Sequence, residues 1–378
     1  MREFSFSTRI FFGEGALERL ARVKNKRVMM VTDHYMAQSG TAERVASHLT
    51  DCQLTIFSGV TPDPSIHVVS EGVKVLLDCK AEVMIALGGG SAIDAAKAIR
   101  AVASKMEGNE IQIEECFAIP TTSGTGSEVT EAAVITDTDQ GVKYPLVSQE
   151  LRPPIAILDP ELVLSAPPSV TADTGMDVLT HALEAHVANA ASDFTDALAE
   201  KSIALTFRFL PIATLDGSDL HARERMHNAS CMAGLAFNSA GLGVCHSIAH
   251  AVGGQLHISH GRLNAMLLPH VLAFNADLQN PAGFTLAAKK YQHIAKLLYL
   301  PAPTVRLGVT NLITEVERLM QTINIPANLR ECGADMDKFK SVRSDIVRAA
   351  LNDRFVTDNP RPVRERDVEF LLSKLAGD

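Results

Sequence analysis

Residues 1–165 alternate short apolar runs with amphipathic stretches. Arg27-Val28-Met29-Met30-Val31-Thr32, Leu54-Thr55-Ile56-Phe57, Val83-Met84-Ile85-Ala86-Leu87 and Cys116-Phe117-Ala118-Ile119 are unbroken runs of strand length. Between them, Ala42 to Leu49 and Ser65 to Leu77 carry helical spacing. Strands alternating with helices predict a parallel sheet covered by helices. Ala132 to Thr136 and Lys143 to Val147 flank the turn-forming Asp137-Thr138-Asp139-Gln140-Gly141, which predicts a hairpin attached to that sheet. After Pro167-Pro168 the pattern changes. Long Ala- and Leu-rich stretches with helical spacing follow, such as Asp193 to Leu210 and Thr285 to Leu298, and no strand pattern returns. The expected organisation is an α/β domain over 1–165 and an all-helical domain over 166–378.

Composition narrows the functional classes. A net charge of −9 disfavours nucleic acid or an anionic membrane as a partner, since both require a basic face. The six cysteines form no C-x-x-C pair, so they read as reduced, buried thiols in a cytoplasmic protein. MREFSFSTRIFFGEG contains no apolar core of signal-peptide length, and no run approaches ~18 uninterrupted apolar residues, so no membrane span is expected.

The candidate chemistry concentrates in the helical half. Asp177 and His181 stand four apart, on one helix face and within reach of one ion. His246 and His250 are also four apart, with His260 ten residues further on. On a straight helix His246 and His260 would lie roughly 21 Å apart, against metal–nitrogen bonds of ~2 Å. They can share an ion only if the chain turns back, and Gly253-Gly254 is the expected break. Taken singly, each histidine reads as an ordinary helix-face residue. The pairing of a carboxylate and an imidazole on one helix with three nearby histidines is what points to a divalent metal held by Asp177, His181, His246 and His260. Three imidazoles and one carboxylate, with no thiolate, suit Fe(II) or Zn(II).

Two glycine-rich loops follow expected strands. Gly88-Gly89-Gly90-Ser91 opens an expected helix, where free N–H groups and the helix dipole favour phosphate, and Ser91 with Asp94 forms an S-x-x-D start signal. Pro120-Thr121-Thr122-Ser123-Gly124-Thr125-Gly126-Ser127-Glu128 offers hydroxyls that can wrap a pyrophosphate or ribose, and Thr125 and Glu128 form a T-x-x-E start signal. In a parallel sheet, ligands gather beyond the carboxyl ends of the strands, so both loops are expected to face one ligand. Asp33, ending the first strand, reads either as a helix cap or as an acceptor for an adenosine ribose.

GGGSAIDAAKA at 88–98, PTTSGTGSEVT at 120–130, DPELVLSAPP at 159–168, GMDVLTHALEAHV at 175–187 and HSIAHAVGGQLHISHGRLNAMLLPHV at 246–271 resemble the iron-containing (group III) alcohol dehydrogenases over nearly the whole chain. The resemblance implies an N-terminal Rossmann-like domain and a helical C-terminal domain, the dehydroquinate synthase-like two-domain architecture. It implies reversible hydride transfer between NAD and a small primary alcohol or aldehyde, at Fe(II) with Zn(II) as the other candidate. By matching positions, Asp177, His181, His246 and His260 become the ligands and His250 a proton-transferring residue near the nicotinamide. Gly88, Gly89, Gly90, Ser91, Asp94, Thr121, Thr122, Thr125, Ser127 and Lys143 become cofactor contacts, with Asp33 favouring NAD over its phosphorylated form. A homodimer or larger assembly is implied too. FSFSTRIFFGEGAL and the length look similar to propanol dehydrogenases of bacterial microcompartments. The rival on the same scaffold is a glycerol-type dehydrogenase or a lyase acting on a phosphorylated substrate. Lys201, Arg208, Arg223 and Arg225, the basic residues between Gly175 and His260, flank no ligand position, which favours an uncharged substrate.

Overall fold

The computed structural model describes residues 3–106, 112–138 and 142–378. It divides into two compact units, Met1–Ala166 and Pro167–Asp378. The first contains, in order, β1 (Arg9–Phe12), β2 (Arg27–Asp33), α1 (His34–Gln38), α2 (Thr41–Ala46), β3 (Gln53–Val60), α3 (Ile66–Cys79), β4 (Val83–Gly88), α4 (Gly90–Lys105), β5 (Glu115–Pro120), β6 (Ala132–Asp137), β7 (Val142–Val147) and β8 (Ile155–Leu158).

Six of the eight strands form one parallel sheet in the order β1-β8-β5-β4-β2-β3. The reason the strand runs are unbroken is visible in β2 and β4. Met29, Val31, Met84 and Ala86 pack beneath α3 and α4, while Val28, Met30, Ile85 and Leu87 pack on the opposite face with Leu17, Leu20, Ala42 and Val45. Both faces are buried, so these positions are all apolar. β2 continues outward to β3 and β4 continues the other way to β5, which places a topological switch between β2 and β4. The carboxyl ends at a switch point form a ligand crevice, and here they end in Asp33 and Gly88.

Two sequence expectations are corrected in this unit. The hairpin forms, but β6 and β7 make a separate antiparallel sheet. It meets the rest through α4, through α3 and through a bridge from Thr136 to Ser65. β1 and β8 carried no separate strand signal. At four residues each they offer too few positions for a period to register.

The second unit is helical throughout its described elements: α5 (Pro168–Val187), α6 (Asp193–Leu215), α7 (Leu220–Ala240), α8 (Val244–Leu256), α9 (His260–Ala276), α10 (Leu286–Leu297), α11 (Val305–Thr322), α12 (Met336–Asn352) and α13 (Glu365–Ala376). One apolar cluster joins all nine. Proline at the first position of α5 suits a helix start, where its missing N–H costs nothing. From Gly175 to Val187 every residue of α5 is buried, so its polar groups must find partners inside the bundle. No single helix among the described residues is long and apolar enough to cross a membrane.

Candidate metal centre and cofactor loops

Asp177, His181 and Glu184 share one face of α5 by their spacing of four and three, and all three are buried. Glu184 accepts hydrogen bonds from the backbone N–H groups of Gly243 (3.0 Å), Cys245 (2.8 Å) and His246 (3.4 Å), and it pairs with His246 Nδ1 at 2.7 Å. It therefore caps the first turn of α8 with a charge, which the helix dipole favours. Residue 243 must be glycine for this approach, because a Cβ there would lie 2.7 Å from both Glu184 Oε1 and Asn359 Oδ1. With three N–H donors already on the carboxylate, the His246 ring donates through Nδ1. Its Nε2 is then the ring atom left for an ion, and that buried atom has no hydrogen-bond partner. The nearest carboxylate oxygen is Asp177 Oδ1 at 3.7 Å.

The expected turn-back exists, but not at the paired glycines. α8 runs through Gly253-Gly254 to Leu256, and the break falls at His257, in the left-handed region with φ 55°. Gly253 instead admits a neighbour, since a Cβ there would meet Leu263 Cδ1 of α9 at 3.3 Å. Ser259 Oγ (2.6 Å) and Arg262 Nε (3.0 Å) both donate to Asp173, one turn before Asp177, and so pin the start of α9 to α5. The return brings the His246 and His260 rings to 5.2 Å between centroids, against roughly 21 Å on a continuous helix.

Ligand atoms of Asp177, His181 and His246 all lie within 4.8 Å of one another. His260 Nε2 stands 3.6 Å from Asp177 Oδ1, beside this trio. Asn264 Nδ2 lies 2.8 Å from Asp177 Oδ1 and 3.0 Å from His260 Nε2. Burial alone would raise the Asp177 pKa, yet His181, His260 and His246 hold it far below the usual carboxylate range. Burial would lower that of His246, but Asp177 and Glu184 push it up to about 9, a second ring proton that a bound cation would displace from Nε2. A permanent anion among imidazoles, with a second-layer carboxylate fixing one tautomer, is the donor set a divalent ion requires. The residues present fit such an ion.

His250 stacks on His260 at 4.9 Å and pairs through Nδ1 with Asp353 Oδ2 at 2.9 Å, and 41% of its side chain remains exposed. Phe355 approaches the His246 and His250 rings at 6.3 and 6.0 Å. Cys116, Cys231 and Cys245 are buried as expected, the Cys245 thiol against Asn264 O, whereas Cys52, Cys79 and Cys332 are only partly buried. Arg223 is spent on Gly217 O and Thr171 Oγ1. Sequence reasoning missed Glu184, Asn264 and Asp353. Glu184 was within reach, since it continues the Asp177–His181 face. Asp353, about a hundred positions from its histidine, has no local signal.

In the first unit the two loops touch. A Cβ on Gly90 would lie 2.8 Å from Thr125 Cγ2, and one on Gly89 would lie 3.4 Å from Thr122 Oγ1. Thr121 is buried at the end of β5, and Ser91 lies in the first turn of α4. Neither start signal forms its expected cap, although Thr125 Oγ1 accepts from Ser127 N at 3.3 Å. α4 begins from Gly89 without a side-chain cap, and the turn at Ser127–Val129 begins from Gly126. Asp94 is pulled away to accept from Ser127 Oγ (2.6 Å) and Val134 N (2.9 Å). Asp33 Oδ1 caps α1 through Met36 N at 2.9 Å. A Cβ on Gly88 would lie 3.4 Å from Asp33 Oδ2, so the carboxylate stands at the switch point. The side chain of Lys143 lies outside the described residues.

Glu128 is buried, and its Oε1 has no hydrogen-bond partner. Burial pushes its carboxyl from 4.5 up to about 7. Below pH 4.5 the folded and unfolded chains both hold the proton; between 4.5 and 7 only the folded chain does. This group therefore costs stability progressively as pH rises across that window, on the order of 3 kcal/mol in all, and nothing further above it. Glu128→Gln removes the titration. Its unfolding free energy relative to the parent is expected to rise between pH 5 and 7.5, as read by denaturant melts at both pH values. A constant difference would refute the assignment.

Comparison with known proteins places these features in context. Residues 7–160 match the family model described as iron-containing alcohol dehydrogenase, and residues 171–376 match the Fe-containing alcohol dehydrogenase family, C-terminal. The chain is 46% identical to the 1-propanol dehydrogenase PduQ of Salmonella typhimurium, covering 99% of this chain and 100% of the relative. The crystal structure of a 1,3-propanediol oxidoreductase superposes with a TM-score of 0.90 at 33% identity, covering 99% of this chain and 100% of the other. Sulfoacetaldehyde reductase from Bifidobacterium kashiwanohense, solved in complex with NAD+, gives 0.85 at 26% identity, covering 100% and 99%.

Proposed function

The chain belongs to the iron-containing alcohol dehydrogenase family, and from that premise we propose that it interconverts a short unbranched primary alcohol and its aldehyde, of the 1-propanol/propanal class, with NAD(H). The observation that carries the reading is the buried group of Asp177, His181 and His246, whose ligand atoms converge within 4.8 Å. Asp177, His181, His246 and His260 are the proposed ligands. Held by these residues, a divalent ion would supply Lewis acidity toward the substrate oxygen and a bound NAD(H) would supply the hydride chemistry. The protein does the rest. Glu184 holds His246 in the tautomer whose Nε2 faces Asp177. Asp177 supplies the negative charge that favours a cation among these imidazoles. Arg262 is tied to Asp173 and Arg223 to neutral oxygens, which supports an uncharged substrate over a phosphorylated one.

His250 is the proposed proton carrier. Its Nδ1 faces Asp353, which leaves Nε2 to exchange a proton with solvent through the exposed edge of the ring. Gly88, Gly89, Gly90 and Ser91 with Thr121, Thr122 and Thr125 are the proposed cofactor contacts, and Asp33 at the switch point supports NAD over its phosphorylated form. We place the enzyme in the cytoplasm, within a bacterial microcompartment, as a homodimer or larger assembly; the start FSFSTRIFFGEGAL is what supports the compartment.

The test is anaerobic protein with ferrous ion, NADH and a panel of two- to four-carbon aldehydes, followed by nicotinamide absorbance. Propanal turnover that depends on added ferrous ion is expected; turnover of a phosphorylated polyol in preference to propanal would overturn the substrate assignment. In the same assay His250→Ala is expected to slow turnover by about 10²-fold and flatten the pH–rate profile. An unchanged profile would remove His250 from the proton path.

A further inference from the structure

The mechanism uses no residue of α4 beyond its first turn, yet the most elaborate polar cluster of the first unit lies there. Lys97 sits two turns into α4 with 2% of its surface exposed. Its ammonium donates to Ser127 Oγ (2.8 Å), Thr130 Oγ1 (3.1 Å) and Ala132 O (2.8 Å). All three N–H bonds of the charged form are thereby used. The Ser127 hydroxyl in turn donates a hydrogen bond to Asp94 Oδ1, one turn back on α4, and Asp94 Oδ2 accepts from the N–H of Val134. A third residue on the same stripe, Arg100, donates to the carbonyls of Glu150 and Arg152. One helix face thus grips the chain from Ser127 to Arg152 at several separate points.

Burying an ammonium costs several kcal/mol, and an apolar side chain of similar volume is often neutral or better for stability. Stability alone therefore does not explain a lysine here. What the cluster does fix is the second glycine loop. The partners of Lys97 and Asp94 are its last residues and the start of β6. Within the loop Thr125 rests on Gly90, where a Cβ would intrude, and nearer its start Thr122 stands beside Gly89. The loop is held against the N-terminus of α4, the point from which free backbone N–H groups meet a phosphate.

We propose that Lys97, together with Asp94, is a positioning residue for the dinucleotide: it tethers the loop from Thr121 to Ser127 in register with the Gly88-Gly89-Gly90 turn, so that both present their donors to one cofactor. The proposal rests on the reading of these loops as the cofactor site. The burial that makes the tether rigid also lowers the Lys97 pKa to about 8, with Asp94 and then Glu128 opposing that shift.

Lys97→Met keeps the stem and removes the three donors. Two measurements decide the matter on protein purified without cofactor. Hydrogen exchange of the backbone amides from 121 to 134 reports the loop, with β2 and β4 as internal references. Fluorescence titration with NADH reports the cofactor. Faster exchange confined to 121–134, a rise in NADH Kd of about tenfold, and kcat at saturating NADH within about threefold are expected. Equal NADH affinity in parent and variant overturns the proposal, whether or not exchange changes, since Lys97 is then a structural tether only. A parent protein that binds no NADH overturns instead the cofactor reading of the loops. Should Lys97→Met fail to fold, Thr130→Val, at a residue assigned no cofactor contact, leaves Lys97 two acceptors. A rise in NADH Kd of about threefold supports the proposal there, and no rise overturns it.

Discussion

Asp177→Asn is expected to leave the helical unit folded and to abolish stoichiometric iron. The substitution is nearly isosteric, and its amide oxygen can still accept from Asn264 Nδ2, now 2.8 Å from the carboxylate. What disappears is the one negative charge that His181, His246 and His260 surround. Three neutral imidazoles remain, a softer set that no longer favours a hard divalent ion. Loss of a buried charged ligand is worth about 4 kcal/mol, or three decades of affinity. A similar or larger loss in kcat/KM follows, because the Lewis acid contributes several kcal/mol to the barrier. Metal analysis after anaerobic reconstitution reads the first effect and propanal turnover the second. A third readout is independent of activity. Ferrous ion at a thousand times its Kd stabilises the parent by about 4 kcal/mol through mass action, and the variant should show no such gain. A variant that retains iron, turnover and the metal-dependent gain would show that Asp177 is not a ligand.

How much of this was legible beforehand follows from how local each signal is. β2, β4 and β5 could be read directly, because a strand buried on both faces reads as a near-continuous apolar run. Helix α3 could be read down to its Ser65 cap, whose side chain accepts from Val68 N. The site residues on α5 and α8 follow from a spacing of four. The place of the break did not follow. Gly253-Gly254 looks like a breaker, yet backbone permissiveness is also what lets a neighbouring helix approach, and here packing against Leu263 uses it. The left-handed conformation fell to His257, which a residue scale does not mark. Ser91–Asp94 and Thr125–Glu128 failed in the same way. Each spelled a start signal, but Asp94 is worth more bridging Ser127 and Val134, thirty or more positions away, than capping its own helix. Contacts of that sequence separation leave no period to detect.

Glu184→Gln is expected to lower both metal affinity and stability, although Glu184 touches no proposed substrate or ion. Its two oxygens accept from three backbone N–H groups and from the His246 ring. An amide offers one oxygen and one NH2, so at least one N–H at the start of α8 must face another donor. A buried donor left without an acceptor costs about 1–3 kcal/mol, and loss of the charge at the helix N-terminus adds up to about 1 kcal/mol. The ring of His246 suffers differently. Without a carboxylate at Nδ1, the tautomer that leaves Nε2 as the acceptor toward Asp177 is no longer enforced, and ligand basicity falls. Outer partners of this kind typically govern 10–100-fold in metal affinity. The expected result is therefore a drop of about that size in iron affinity, with Asp177, His181, His246 and His260 all intact, and a lower denaturant midpoint in the metal-free protein. The two effects separate the roles. A lower midpoint with unaltered iron affinity would leave Glu184 as a helix cap only, and the orientation of His246 would then have to come from its packing against His181, whose ring stacks on it at 4.6 Å.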